Sequence, residues 1–233
     1  MNSKNIAITA IFIALTYVTT FFSGQFIKSP VPGGYLNIGD AVIFISAILF
    51  GPLVGFLAGS IGSALSDASF AAYMFVPGTF VIKGLEGLIA GVVYKYLVRK
   101  PLHVSYSIMF IGFFTMIISL YVFYNVNYSD PIRNLSPIDY YYFAFPIGLI
   151  YSVLGVSSVF LSIRKSKYVK DIVILSAMII AGSEMVLGYY LYELMIFGYI
   201  AIAEAPINIT QASISILVAY FVVKSLGKYL RIY

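Results

Sequence analysis

Long apolar runs separated by short polar stretches extend along the whole chain of 233 residues. Runs of eighteen or more apolar residues are typical of membrane-spanning helices, so the pattern predicts one all-helical membrane domain, residues 1–233, without a separate soluble block. Seven apolar stretches cover about residues 6–24, 40–67, 76–98, 103–125, 141–163, 171–197 and 206–227.

The second stretch contains the step Gly51-Pro52, which favours a break into two short helices, about 36–50 and 52–69. Basic residues form four clusters, which begin at Lys4, Lys95, Arg164 and Lys224. Such clusters collect in the cytoplasm, so an even number of crossings should separate each pair of neighbouring clusters. Only the split at Gly51 gives even numbers. The sequence therefore predicts about eight spans with both termini in the cytoplasm.

The composition supports a multi-pass protein of the cell membrane. Hydrophobic residues make up 61% of the chain and charged residues 10%, with a mean hydropathy of +0.97, whereas soluble domains carry about 25% charged residues. The absence of cysteine excludes disulfides and thiolate ligands. The sequence has no P-loop, no H-E-x-x-H and no G-x-S-x-G motif, so it predicts no catalytic residues, no metal site and no enzyme.

Charged side chains within spans are costly, and they usually face a bundle interior, a partner charge or a water-filled cavity. Lys83 and Glu86 are one turn apart and can form an ion pair along one helix. Glu184 and Glu193 have no basic residue three or four positions away. Their partner is therefore expected from another helix, for which Lys83 is a candidate, or from a ligand.

Other polar residues lie near the predicted outer ends of spans. Asp40 opens an apolar run, where either it or Asn37 could cap the helix, or where Asp40 could face a polar mouth. Asn208 and Gln211 are one turn apart in the last span. Convergence of these residues with Asp67, Lys83 and Glu193 would form a pocket for a small polar molecule. Bordering aromatic residues, among them Tyr73 and Tyr189, suit a flat heterocycle.

Small residues recur at helical spacing, which allows close contact between helix backbones. Glycines do so at positions 51, 55 and 59 and at positions 84, 87 and 91. In the first span Ala7, Ala10 and Ala14 share one face. That face either packs within the protein or docks another membrane protein.

Four segments carry a family resemblance: NIGDAVIFISAILFGPLVGFLAGSIGSALSD, PGTFVIKGLEGLIAG, GYYLYE and PINITQ. In this order they resemble the S components of energy-coupling factor (ECF) vitamin transporters, most closely the riboflavin-type branch. The likeness covers about residues 1–100 and 170–233, and it implies a six-helix substrate-binding core. Residues 103–165 are then an inserted transmembrane hairpin.

The resemblance implies a small vitamin or vitamin precursor, riboflavin or a related heterocycle, as transported substrate rather than cofactor. It also implies a coupling membrane subunit and two ATPases as partners within the lipid bilayer, and no nucleic acid. The substrate-binding residues that it implies are Asn37, Asp40, Asp67, Tyr73, Lys83, Tyr189, Glu193, Asn208 and Gln211. It implies a docking face at Ala7, Ala10 and Ala14.

Two alternatives remain open on the residues alone. One is a solitary secondary transporter coupled to H⁺ or Na⁺ through Glu184 or Glu193, the acidic residues without a local basic partner. The other is a membrane-embedded scaffold without a ligand.

Overall fold

The structure is a computed structural model that describes residues 3–29, 31–99, 101–125, 137–163, 168–198 and 201–229. Within these ranges the chain is helical and contains no strand; the pair Lys28 and Tyr35 forms an isolated β-bridge. The helices are α1 Ser3–Ser23, α2 Gly39–Phe50, α3 Pro52–Leu57, α4 Ala64–Ser69, α5 Val76–Arg99, α6 Pro101–Asn125, α7 Pro137–Ile163, α8 Val169–Phe197 and α9 Ala201–Tyr229, with a π-helical segment Ala58–Ser63 between α3 and α4.

The predicted break within the second apolar stretch is confirmed. Gly51 has a φ of 107°, a conformation that glycine adopts without steric cost, and it separates α2 from α3. Pro52 occupies the first turn of α3, where its missing amide proton leaves no hydrogen bond unmade. Residues 52–69 then continue as one helical run through the π-helical segment.

The predicted start of the last helix is wrong. The sequence places residues 199–205 in a loop and begins the helix at Pro206, but α9 begins at Ala201. Pro206 is the sixth residue of α9, so it lacks the amide that would bond to the carbonyl four residues earlier, and the helix nevertheless continues through it. Glu204 consequently lies in the first turn of α9. The predicted loop from Asn127 to Asp139 lies mostly outside the described residues.

The chain divides into two compact units. The first comprises residues 1–95 and 174–233, in which α2 packs against α1, α3 and α9 while α1 also contacts the π-helical segment. The second comprises residues 96–173, in which α6 packs against α7. Between these two helices the buried hydroxyls of Ser105 and Ser158 are 2.5 Å apart.

The predicted close packing of the glycine stripes is confirmed within the first unit. A Cβ atom on Gly55 would lie 2.8 Å from the carbonyl oxygen of Gly87, which is too close for any side chain. A Cβ atom on Gly59 would overlap the carbonyl oxygen of Lys83. The backbones of residues 55–59 and of α5 therefore touch, an arrangement that small residues permit.

The distribution of polarity is the reverse of that in a soluble protein. Large apolar side chains are exposed, for example Phe22 at 61% and Phe221 at 65%, whereas Lys83 and Glu86 are buried. Among the described residues, four helices are long and apolar enough to cross a membrane: Ser3–Ser23, Val76–Arg99, Val169–Phe197 and Ala203–Gly227. Exposed apolar side chains can contact lipid tails, and buried charged side chains avoid them, so this distribution is typical of a protein in a bilayer.

Candidate functional site

A cavity lies within the first unit, between residues 33–37, helices α1, α4, α5, α8 and α9 and the π-helical segment. Residues 24–29 and 31–38, here together named the cover, pair as a short hairpin in which the backbone N of Leu36 donates to Ile27 O and that of Ser29 donates to Gly34 O. The volume open to the centres of water molecules is about 30 Å³, which holds about two waters. The cavity is therefore small in this conformation.

Lys83 forms the charged floor of the cavity. Its Nζ lies 2.5 Å from Asp40 Oδ1 and 3.2 Å from Glu86 Oε2, and all three side chains are buried. The predicted ion pair along α5 is thus confirmed. The contact partners of the Lys83 ammonium are Asp40 and Glu86, so in the described residues it forms no ion pair with Glu184 or Glu193, although it lies near enough to Glu184 to interact with its charge.

Gln211 connects the cover to this floor. Its Nε2 donates to Asp40 Oδ2 at 2.9 Å, and its Oε1 accepts from the backbone N of Asn37 at 2.9 Å and from Asn37 Nδ2 at 3.2 Å. Asn37 Oδ1 accepts from Gly39 N at the start of α2, so it is Asn37, not Asp40, that satisfies an amide there. With one oxygen on Lys83 and the other on Gln211, Asp40 lies behind the wall and positions the side chains that face the cavity.

The cover is held at its centre by apolar and aromatic contacts. Val31 is buried against Ala72 and Phe75. The Tyr35 hydroxyl donates to Asp67 Oδ1 at 2.5 Å. Burial, together with the neighbouring Asp67 carboxylate, raises the pKa of the Tyr35 phenol well above its ordinary value, so Tyr35 stays protonated and remains the donor.

Tyr189 provides an aromatic wall. Its hydroxyl lies 2.8 Å from Thr79 Oγ1, and its ring centroid lies 5.5 Å from Lys83 Nζ. Tyr73, the other residue expected to stack on a ligand, is 70% exposed and does not line the cavity. The structure therefore places only one of the two aromatic candidates at the site.

The remaining wall consists of polar side chains that have atoms without a hydrogen-bond partner. Glu193, Glu204 and Asn208 are buried and line the cavity together with Asp67. In the part of the chain that the structure describes, Glu193 Oε2, Glu204 Oε2, Asp67 Oδ2 and Asn208 Nδ2 have no hydrogen-bond partner. Buried polar atoms without partners are uncommon, and their presence around one cavity indicates a place for a polar ligand.

Comparison with known proteins agrees with this geometry. The family profile described as "ECF-type riboflavin transporter, S component" matches residues 1–137, more than half of the chain. The chain belongs to this family. It is a multi-pass membrane protein, and the family is one of membrane transporter S components rather than of enzymes.

Individual relatives of this S component match shorter regions. An uncharacterized protein in the gap 3′ region of Pyrococcus woesei is 49% identical over 71 residues, which is 28% of this chain and 45% of the relative. A UPF0397 protein of Streptococcus gordonii is 38% identical over 95 residues, 40% of this chain and 48% of the relative. The chain thus spans less than half the length of these curated relatives. No solved structure matches.

The alanine face of the S component lies on the surface. Ala7, Ala10 and Ala14 are exposed, whereas Thr9 and Thr16 on the same helix are buried. These alanines therefore do not pack inside the protein, which is one of the two uses that the sequence allows.

Several wall residues of the S component escape sequence reasoning, among them Tyr35, Thr79 and Glu204. Glu204 precedes Asn208 by one helical turn, a spacing that indicates a shared face once the helix is known to start at Ala201. Tyr35 lies in the cover and Thr79 near the start of α5, where a single hydroxyl carries no sequence signal. Of the nine residues for which the resemblance implies substrate binding, seven line the cavity, and their contact with a substrate remains a prediction: Asn37, Asp67, Lys83, Tyr189, Glu193, Asn208 and Gln211.

Proposed function

We propose that this chain is the substrate-binding subunit of an ECF-type importer. It captures a small vitamin or vitamin precursor, riboflavin or a related heterocycle, on the outer side of the membrane. Partner subunits, a coupling membrane protein and two ATPases, drive the uptake. The observation that carries this proposal is the family match over residues 1–137, a region that includes the cover and the ion-paired floor of the cavity.

The proposed topology has eight crossings with both termini in the cytoplasm. Six crossings belong to the S-component-like core, residues 1–100 and 170–233, and two to an inserted hairpin at residues 103–165. An even number of crossings between neighbouring basic clusters supports this topology. So do the eight helical segments of the described residues: α1, α2, 52–69, α5, α6, α7, α8 and α9. In this topology the cover faces the outside.

Capture requires the cover to move. A vitamin is far larger than the two waters for which the cavity has room, so the cavity has to widen before substrate enters, and the cover is the part of its wall that lies outside the helices. The hydrogen bonds between Asn37 and Gln211 break in that motion, and they form again when the cover closes over the substrate. Because Gln211 also donates to Asp40, movement of the cover changes the contacts of the Asp40–Lys83 ion pair as well.

The exposed alanine face is the proposed docking surface for the coupling subunit. A smooth helix face lets a second helix approach closely in a bilayer, where packing and not hydrophobicity drives association. Ala7, Ala10 and Ala14 provide such a face on α1. Energy for transport then comes from the partner ATPases, because the chain has no P-loop.

Two measurements on the full chain test this proposal. Mass spectrometry of small molecules released by denaturing the purified protein should detect a vitamin or precursor. Uptake of that molecule into proteoliposomes should require the coupling subunit, both ATPases and ATP. Uptake by the chain alone at the same rate would refute the proposal.

A solitary ion-coupled carrier is the second candidate, and one observation favours it. Glu184 Oε2 and Glu193 Oε2 are buried without a hydrogen-bond partner in the described residues, as expected of carboxyls that bind H⁺ or Na⁺ in turn. Uptake that depends on a proton or sodium gradient in the absence of ATPases, and that is lost in Glu184→Gln, would establish this function instead.

A further inference from the structure

Carboxylate oxygens without partners surround the cavity on three sides. Asp67, Glu193 and Glu204 are 5%, 2% and 2% exposed, and one oxygen of each has no hydrogen-bond partner among the described residues. Asp67 accepts from Tyr35 through its other oxygen and also interacts with Thr79. Glu204 interacts with the Ser29 side chain and with the backbone of Val31. A buried carboxylate oxygen loses its hydration and requires either a proton or a donor from a ligand.

The nearby lysine does not supply the missing positive charge. The ammonium of Lys83 is shared between Asp40 and Glu86, so two carboxylates already surround it. Glu204 lies close enough to Glu193 for their charges to repel each other. In the described residues, Asp67, Glu193 and Glu204 therefore have no cationic side chain within ion-pair distance, and a bound cation would supply the partner that ionised carboxyls require there.

The other wall features suit an organic cation better than a metal ion. Within the described residues, no three His, Cys, Asp or Glu side chains are grouped as a metal site requires. The rings of Phe75 and Tyr189 line the same cavity, and aromatic faces attract cations. Asn208 Nδ2 adds an unused donor for an acceptor atom of the ligand.

We infer that the substrate is a heterocyclic organic cation that presents N–H donors to Glu193, Glu204 and Asp67. A protonated amine or a charged amino-substituted ring has this chemistry. A neutral flavin ring does not, because its polar edge carries more acceptors than donors and would face carboxylate oxygens. The inference rests on the proposed function and selects among the heterocycles that it allows.

Matched ligands that differ in charge test the inference. Binding to the full chain in lipid nanodiscs is measured by calorimetry for pyridoxamine and pyridoxine, which share a ring but differ in an amine and a hydroxyl. Thiamine provides a fixed positive charge and riboflavin a neutral flavin. We expect the amine to bind about tenfold or more tightly than the alcohol, the effect of one charge-assisted hydrogen bond, and riboflavin to bind more weakly than thiamine.

Two variants distinguish ionised carboxyl groups in the wall from protonated ones. Glutamine has the shape of a protonated glutamic acid, so Glu193→Gln and Glu204→Gln should each reduce the preference for the amine about tenfold only if the native carboxyl binds the ligand as an anion. Asp171→Asn, which removes one charge in the first turn of α8, is the matched control and should leave the preference unchanged. An unchanged preference in both glutamine variants would overturn the inference.

The outcomes also distinguish the inference from the function on which it rests. Tight binding of riboflavin, together with ATPase-dependent uptake, would overturn the inference and leave the proposed function intact. Preference for the cations together with ATPase-dependent uptake supports both. Binding of none of the four probes would overturn the inference, whereas the proposed function fails only if uptake of the molecule released from the purified protein does not require the ATPases.

Discussion

Lys83 of α5 and Asp40 of α2 form an ion pair, 2.5 Å between Nζ and Oδ1, in which both side chains are almost completely buried. Glu86 shares the same ammonium at 3.2 Å. One cation thus compensates two carboxylates away from water, and the loss of that cation leaves both uncompensated. The pair also fixes Asp40, to which Gln211 donates.

Substitution of Lys83 should destabilise the protein strongly. Lys83→Met leaves Asp40 and Glu86 buried without a cation, which costs about 3–5 kcal/mol in the free energy of unfolding. Unfolding by SDS titration in mixed micelles measures this change. Lys95→Met, which removes an exposed lysine from the same helix, is the control and should change stability little. Equal losses in the two variants would show that the pair contributes nothing specific.

Removal of the Gln211 side chain should loosen the cover. Gln211→Ala deletes the acceptor of Asn37 N and Nδ2, and each net hydrogen bond contributes about 1 kcal/mol. Amide hydrogen exchange around Asn37 should therefore accelerate roughly tenfold. Ser213→Ala, an exposed position two residues along α9, should leave it unchanged. Unaltered exchange in Gln211→Ala would mean that other contacts hold the cover.

Asn208 offers a test of ligand contact with little effect on folding. Its Nδ2 has no partner in the described residues, so Asn208→Ala removes no hydrogen bond of that atom and should leave the melting temperature nearly unchanged. Binding of the retained ligand should weaken about fivefold to tenfold, because a hydrogen bond to the ligand is lost. The control is Thr210→Ala, whose hydroxyl is bonded to Pro206 O within its own helix. Affinity equal to that of the control would remove Asn208 from the site.

Bulk on the alanine face should prevent assembly without affecting capture. Ala10→Trp places a large ring on an exposed surface, so it should not disturb the bundle. It would separate α1 from a helix of the coupling subunit, and copurification with that subunit should be lost while ligand affinity stays the same. Ser213→Trp, a similar addition at an exposed position on α9, should still copurify. Copurification of both variants would place the docking surface elsewhere.

Local rules account for much that the sequence predicts correctly. The break at Gly51-Pro52 follows from backbone chemistry, and the Lys83–Glu86 pair follows from helical spacing. The close contact of Gly55 with Gly87 follows from the small residues themselves. Each of these features involves residues that lie on one helix or on neighbouring ones.

Contacts between distant segments account for what the sequence does not predict. Lys83 pairs with Asp40, 43 residues away, and no spacing rule chooses between Asp40 and the acidic residues of α8. Glu204 escapes notice because Pro206 was expected to begin the helix. Tyr73 has the aromatic character of a stacking residue, but the turn that carries it leaves the side chain exposed.

The π-helical segment Ala58–Ser63 determines which way the following residues face. A π-type turn holds about one residue more than an α-type turn, and one residue corresponds to about 100° of rotation around a helix. Gly55, before the segment, and Gly59, within its first residues, face α5; downstream, Asp67 faces the cavity. Deleting a single residue here would restore a regular helix, keep every glycine contact before it, and turn Asp67 away from Tyr35. The register of this segment, as much as its composition, is therefore a constraint on how the chain can vary.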